Sequence, residues 1–313
     1  MTEHMQPHCV GRYLIDLPKG FALSTDSAGY FFIGLNFDQD LLQIGPGPYG
    51  LSPQQFKAWV QGQISKWDAP KEHVEPGEPP TRLAKAIDYG DEALLHTRSH
   101  DSDDKSVTLR YLGFSEGTAF ELSRSANADE AKIARSTDRL LALAKRISRI
   151  QDPLKSGKGT CFDELLISGA YDEEQLDMYF TSEAHPGLRI RVYFGGIQED
   201  DKEDIFQRGR TAMNLFGATV PTLLTRSYAF NGMTANEDGF STPSEIDNGR
   251  SNYAYQFETR RSDGSIKRPL IRVVLDAGVY KDGKQIGIDM TQGEVKGLWE
   301  ATIKTLRPRP GAV

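Results

Sequence analysis

Two cysteines in 313 residues are too few for a disulfide framework, and Cys9 and Cys161 have no metal-ligand spacing. Long apolar runs are missing too: no stretch approaches the roughly 20 residues of a membrane-spanning helix. Positive charge is in deficit. With 37 Lys and Arg against 44 Asp and Glu, the formal charge is -7. That balance argues against nucleic acid or an anionic membrane as the main partner, because both call for a basic surface. The start, Met1 to Cys9, lacks a positive stretch followed by an apolar h-region. Either the protein acts in the cytoplasm, or an export signal has been removed ahead of this sequence.

What is present is a globular composition, 38% hydrophobic and 26% charged, in a chain long enough for two cores. The order of elements reads twice. CVGRYLIDLP from Cys9 and CFDELLISG from Cys161 each open a half, followed by strand-like segments and an amphipathic helix. Ser52-Pro53 caps the first helix, with Phe56, Trp59, Val60, Ile64 and Trp67 on one face. Ile205, Phe206, Ala212, Met213 and Phe216 make a comparable stripe in the second half. ALLHTRS at Ala93 to Ser99 is echoed by LLTRS at Leu223 to Ser227.

Strand-like runs follow in both halves: Val107 to Phe114 and Ala119 to Arg124, then Tyr253 to Thr259 and Leu270 to Leu275. Each half closes on a helix. The first is capped by Asn127 with Glu130 three residues on, and the second by Thr291 with Glu294, placing Val295, Leu298, Trp299, Ile303 and Leu306 inward. The expected fold is α+β: two tandem, duplicated domains, each a mainly antiparallel sheet with two amphipathic helices. Their bounds are 1–152 and 161–313, with the polar, Pro- and Gly-bearing stretch 153–160 as linker. Cys9 and Cys161 then sit in equivalent first strands of separate units, so two free, partly buried thiols are expected.

Three strings imitate catalytic motifs. Gly113-Phe114-Ser115-Glu116-Gly117 spells a nucleophile elbow, but a strand rather than a helix follows it, which makes it a hairpin turn. Gly45-Pro46-Gly47-Pro48-Tyr49-Gly50 spells a dinucleotide loop, yet Pro46 and Pro48 have no N–H to offer a phosphate. His96 and His100, with Asp101, Asp103 and Asp104 beyond, share a face only on a helix, and the surroundings read as strand and loop. The acidic run Glu199 to Asp204 suits the first turn of the helix after it. No catalytic, cofactor-binding or metal residue is assigned.

CVGRYLIDLP, CFDELLISG, HPGLRIRVYF and the terminal LRPRPGAV, in that order along nearly the whole chain, resemble the two-domain immunity proteins of type VI secretion phospholipase effectors. The resemblance implies a non-catalytic protein that grips a cognate lipase like a claw, at about one-to-one. Loops near the lipase's mobile cap then keep substrate from its catalytic serine. It also implies a periplasmic site of action, with the cytoplasm as the alternative, and a monomer when free. The competing readings are a small serine hydrolase using Ser115 and a cell-envelope binding or scaffold protein.

Under the claw reading the interface falls on loops. The longest polar candidate is Asn231 to Asn252, between a strand ending near Phe230 and one starting near Tyr253. Its candidate contact residues are Met233, Asn236, Asp238, Phe240 and Arg250.

Overall fold

The computed structural model describes the chain except residues 1, 34–39, 75–77, 99–105, 170, 172, 196–204, 209–219, 245–248, 261–264 and 282–283. Antiparallel sheet dominates, with few helices, in an α+β arrangement. The chain divides into two compact units. One comprises Met1–Ser27, Asp152–Asp163 and Glu173–Val313, and the other Ala28–Gln151 and Glu164–Asp172.

The unit containing Ala28–Gln151 is built on six antiparallel strands: Ala28–Ile33, Asp40–Pro46, Leu83–Asp88, Ala93–Arg98, Ser106–Ser115 and Thr118–Asn127. Counted along the chain, they lie in the order 1-2-6-5-4-3. Helix α1, Pro53–Asp68, connects the second strand to the third. Ser52 accepts from the Gln55 N–H at 3.3 Å and the Gln55 side chain accepts from the Ser52 N–H at 2.8 Å, a closed capping box. The expected apolar face holds: Phe56 and Val60 are buried against Ala93, Leu95 and Leu112, with Trp59, Ile64 and Trp67 half-buried beside them.

Helix α2, Glu130–Ala144, follows the sixth strand and packs on it. Its cap is Asp129, which accepts from the Lys132 N–H at 3.0 Å, and not Asn127 as the sequence suggests. Asn127 is still paired with Ser106 in the sheet, so the helix starts later.

The other unit repeats the pattern with Glu173–Ser182, His185–Gly195, Thr222–Phe230, Met233–Pro243, Ser251–Arg260 and Leu270–Ala277, again in the order 1-2-6-5-4-3. Helix α3, Gln292–Ile303, carries the expected Thr291–Glu294 capping box and the expected buried face. Trp299 is fully buried and stacks on Tyr255 with ring centroids 5.8 Å apart. The connection after His185–Gly195 shows a helical turn at 205–208. The rest of the helix expected from Ile205 to Phe216 lies outside the described residues, as does the whole acidic run at 199–204.

The repeated string at Leu223 to Ser227 is out of phase. ALLHTR forms the fourth strand of its unit's six and LLTRS lies in the third strand of the other unit's six, so the two are not structural equivalents. Four similar residues in short β-prone strands arise too easily to set an alignment.

The expectation of free thiols is overturned. Cys9 and Cys161 form a disulfide with Cα atoms 5.6 Å apart. In this unit Met5–Gly11 pairs antiparallel with Thr160–Phe162, in the register Val10–Phe162 and Gly11–Cys161. The two similar first strands thus meet each other within one sheet, inside the distance a disulfide requires. Nearby, Arg12 and Glu174 form a buried ion pair at 2.6 Å, and Arg12 also donates to the Ala312 carbonyl. The chain's last residues are thereby held against its first strands.

Candidate partner-binding surface

Of the stretch Asn231 to Asn252, expected to be a contact loop, Met233–Pro243 is a strand, and residues 245–248 lie outside the described residues. Met233–Pro243 pairs with Thr222–Phe230 on one side and Ser251–Arg260 on the other. A two-residue turn starts it: Phe230 pairs with Met233, while Asn231 and Gly232 take φ of 45° and 74°. Asn-Gly between two such runs is the strongest short hairpin signal, and it was the clue available in the sequence. The run NEDG conceals the strand because Asn, Asp and Gly are poor strand formers.

Burial of those polar groups is compensated one by one. Glu237 is 0% exposed and accepts from Arg226 Nη2 at 2.8 Å, from Trp299 Nε1 at 2.9 Å and from the Tyr228 hydroxyl. Burial raises the Tyr228 pKa, and the neighbouring Glu237 carboxylate raises it further, so the phenol stays the donor. Asp238 accepts from the Gly239 N–H at 2.9 Å, and burial raises its carboxyl against the pull of that bond. Gly239 is required where it stands: a Cβ there meets the Tyr255 ring at 2.6 Å. Glu258, also 0% exposed, is held by Arg272 at 2.7 Å and by Arg208.

Of the five nominated contact residues, Met233, Asn236 and Asp238 are thus buried parts of the sheet. Phe240 and Arg250 reach open surface, and each lines a cavity. Phe240 borders a groove of about 550 Å³ with Arg189, Asn252, Tyr253 and Asp276. Arg250 borders a groove of about 320 Å³ with Leu188, Ile286, Ile288 and Met290. Pro186, Gly187 and Leu188 belong to both walls. The sequence offered no signal for Arg189, Ile286 or Ile288, because they converge only through the sheet register.

The catalytic look-alikes resolve into framework. Ser115 and Thr118 close a two-residue hairpin turn at Glu116-Gly117, with φ of 44° and 91°. The Ser115 Oγ accepts from the Arg149 N–H at 3.0 Å. Gly47 donates its N–H to the Ala119 carbonyl at 3.1 Å and the Pro48 carbonyl accepts from Ala119 at 3.0 Å, so this loop is tied to a strand and the Gly47 donor is spent. His96 lies on the Ala93–Arg98 strand, where burial lowers its pKa, and His100 with Asp101 to Asp104 lies outside the described residues.

Ser115→Ala is expected to remove one hydrogen bond and lower stability by about 1 kcal/mol, measurable by urea unfolding. Esterase turnover by this chain that vanished in Ser115→Ala would defeat the framework role.

The fold has solved relatives. The apo immunity protein TplEi of the T6SS from Pseudomonas aeruginosa superposes with a TM-score of 0.65 at 20% identity, covering 98% of each chain. A chain of the Tle4–Tli4 complex gives 0.66 at 20% identity over 100% of both, and TplEi complexed with an "L" peptide gives 0.61 at 20% identity, over 99% of this chain and 100% of that one. No curated protein matches the sequence. Residues 153–311 match the family model of the Tle cognate immunity protein 4 C-terminal domain, and the chain belongs to that family.

Proposed function

We propose that this chain is the immunity protein of a type VI secretion phospholipase, binding its cognate lipase at one-to-one and blocking substrate access without turnover of its own. The observation that carries the reading is the family match across 153–311. The likeness of fold to TplEi and to a chain of the Tle4–Tli4 complex along the full length is consistent with it. The test is co-expression in the periplasm with the phospholipase encoded beside its gene. Growth is expected to be rescued and purified lipase silenced at equimolar protein, with Kd about nanomolar or tighter, roughly 12 kcal/mol. Unrelieved toxicity together with no heat of binding would remove the reading.

The site of action in this reading is the periplasm. A buried disulfide supports it, since such bonds form and persist in oxidising compartments. Of the residues nominated for the interface, Phe240 and Arg250 are the two kept as contacts. Met233, Asn236 and Asp238 are instead buried in the Met233–Pro243 strand that carries Phe240.

In the same reading the chain is a tandem duplication, with repeats 1–152 and 161–313 about the linker 153–160. Its support is the common strand order 1-2-6-5-4-3, with a helix after the sixth strand in each unit. A crystal structure in which the six strands of one unit fail to superpose in order on those of the other would end it.

A further inference from the structure

The third strand ends the strand order in each unit, so each leaves one backbone edge without a strand neighbour among the described residues. The two edges are finished differently. Leu83–Asp88 is six residues long, its register shifts between Leu83 and Lys85, and it carries the exposed charges of Lys85 and Asp88. Short length, irregular register and exposed charge are the usual guards against strand addition. Thr222–Phe230 is nine residues long, and its register shift lies between Thr222 and Leu224, which leaves Leu224–Phe230 regular. Its one charged residue, Arg226, is neutralised by Glu237 at 2.8 Å. Residues 225 to 229 are all exposed.

The hairpin fixes which backbone groups face outward. A two-residue turn closes on a hydrogen-bonded pair, here Phe230 with Met233, so Tyr228 and Arg226 also spend their N–H and C=O on the neighbouring strand. Thr225, Ser227 and Ala229 then present theirs to the open edge. Ser227 is the midpoint of the regular stretch, and the residues about it complement each other in reverse order: Leu224 with Phe230, Thr225 with Ala229, Arg226 with Tyr228. An antiparallel copy centred on Ser227 therefore forms about six ladder hydrogen bonds. It also sets each Arg226 guanidinium beside the other copy's Tyr228 ring, and each Leu224 beside a Phe230. Centred on Arg226 instead, the two guanidiniums would oppose each other. The strand is complementary to itself, and that selects a second copy of this chain over a strand of another protein.

We infer that free chains pair two-fold through the Thr222–Phe230 edge with Ser227 on the axis, in place of the monomer that the resemblance implies. Glu237 accepts from both Arg226 and Tyr228 and so holds the two side chains ready for this pairing. The inference does not draw on the immunity reading.

The test is sedimentation of the full chain across a range of concentrations, wild type beside Ser227→Pro. Proline there removes only an outward donor, which an edge strand tolerates, and a thermal melt checks that the variant is folded. The wild type is expected to reach dimer mass. The variant loses both central ladder bonds and is expected to raise the dissociation constant at least about tenfold. Cysteine crosslinking reads the register. Both native cysteines are held in the disulfide, so Ser227→Cys adds a single free thiol. Opposed Ser227 Cα atoms would lie about 5.5 Å apart, within disulfide reach, and the two Ala229 Cα atoms about 14 Å apart. A covalent dimer on a non-reducing gel is expected from Ser227→Cys and little from Ala229→Cys. A wild type that stays monomeric at every concentration, or equal crosslinking at the two positions, overturns the edge pairing. So does a monomeric wild type whose Ser227→Pro variant loses lipase binding, which would give the edge to a strand of the lipase.

Discussion

Breaking the Cys9–Cys161 disulfide is expected to lower the thermal midpoint by about 10 °C. The two cysteines are 152 residues apart, and both are essentially inaccessible to solvent. Closing so long a loop removes conformational freedom from the unfolded chain, worth about 5 kcal/mol in the entropic model and about 2–5 kcal/mol when native disulfides are removed. For a unit of this size each kcal/mol shifts the midpoint by about 2–4 °C. Because the bond is buried, a reductant acts only after local opening, so Cys161→Ser and Cys9→Ser are cleaner than a short incubation with thiol. Calorimetry on these variants provides the measurement, with non-reducing mass spectrometry confirming the loss of two protons in the wild type. Equal midpoints would show that the strand pairing of Val10 with Phe162 needs no covalent support. The same result bears on compartment, since a chain needing this bond has less stability in a reducing cytoplasm.

Glu237→Ala is the second large effect, expected at about 3–5 kcal/mol. The side chain is wholly buried and its carboxylate collects donors from Arg226, Tyr228 and Trp299. Truncation strands the wholly buried Trp299 indole N–H without an acceptor, and that desolvation penalty outweighs the modest worth of any single bond, while Tyr228 is 38% exposed and its hydroxyl turns to water. Arg226 is 40% exposed and turns to water, so its own share is small. Trp299→Phe keeps most of the ring and removes only the donor, so about 1–2 kcal/mol is expected. Combining the two should cost less than their sum, a coupling that a double-mutant cycle by urea unfolding would reveal. Additive effects would place the cost elsewhere. The raised pKa of Tyr228 gives the network a pH signature. Its stabilisation is complete below the unfolded value near 10 and is lost as pH climbs through the higher folded value.

The helices were the most readable part of this chain. Ser52-Pro53 with Gln55, and Thr291 with Glu294, are local instructions that neighbouring residues carry out alone, and both caps form as written. The apolar stripes behind them bury as their spacing requires. Strands with β-branched and aromatic character, such as Val107 to Phe114 and Leu270 to Leu275, were legible for the same reason. Met233–Pro243 was not, because what makes it a strand is two neighbouring strands and a carboxylate network supplied from Arg226, Tyr228 and Trp299. Its one local signal is the Asn-Gly turn.

Sequence alone determined the class of the protein: caps, periodicity and turn residues specify α+β elements, and ordered strings along the chain pointed to the immunity family before any coordinate. Tertiary structure alone decided which distant residues meet. Cys9 finds Cys161, and Arg189 faces Asp276 while Ile286 and Ile288 converge on Leu188. Local elements depend on interactions within about four residues, which the sequence displays directly. Register and strand order depend on pairing across tens to hundreds of residues, where each choice is made by the partner strand and by which face must be buried.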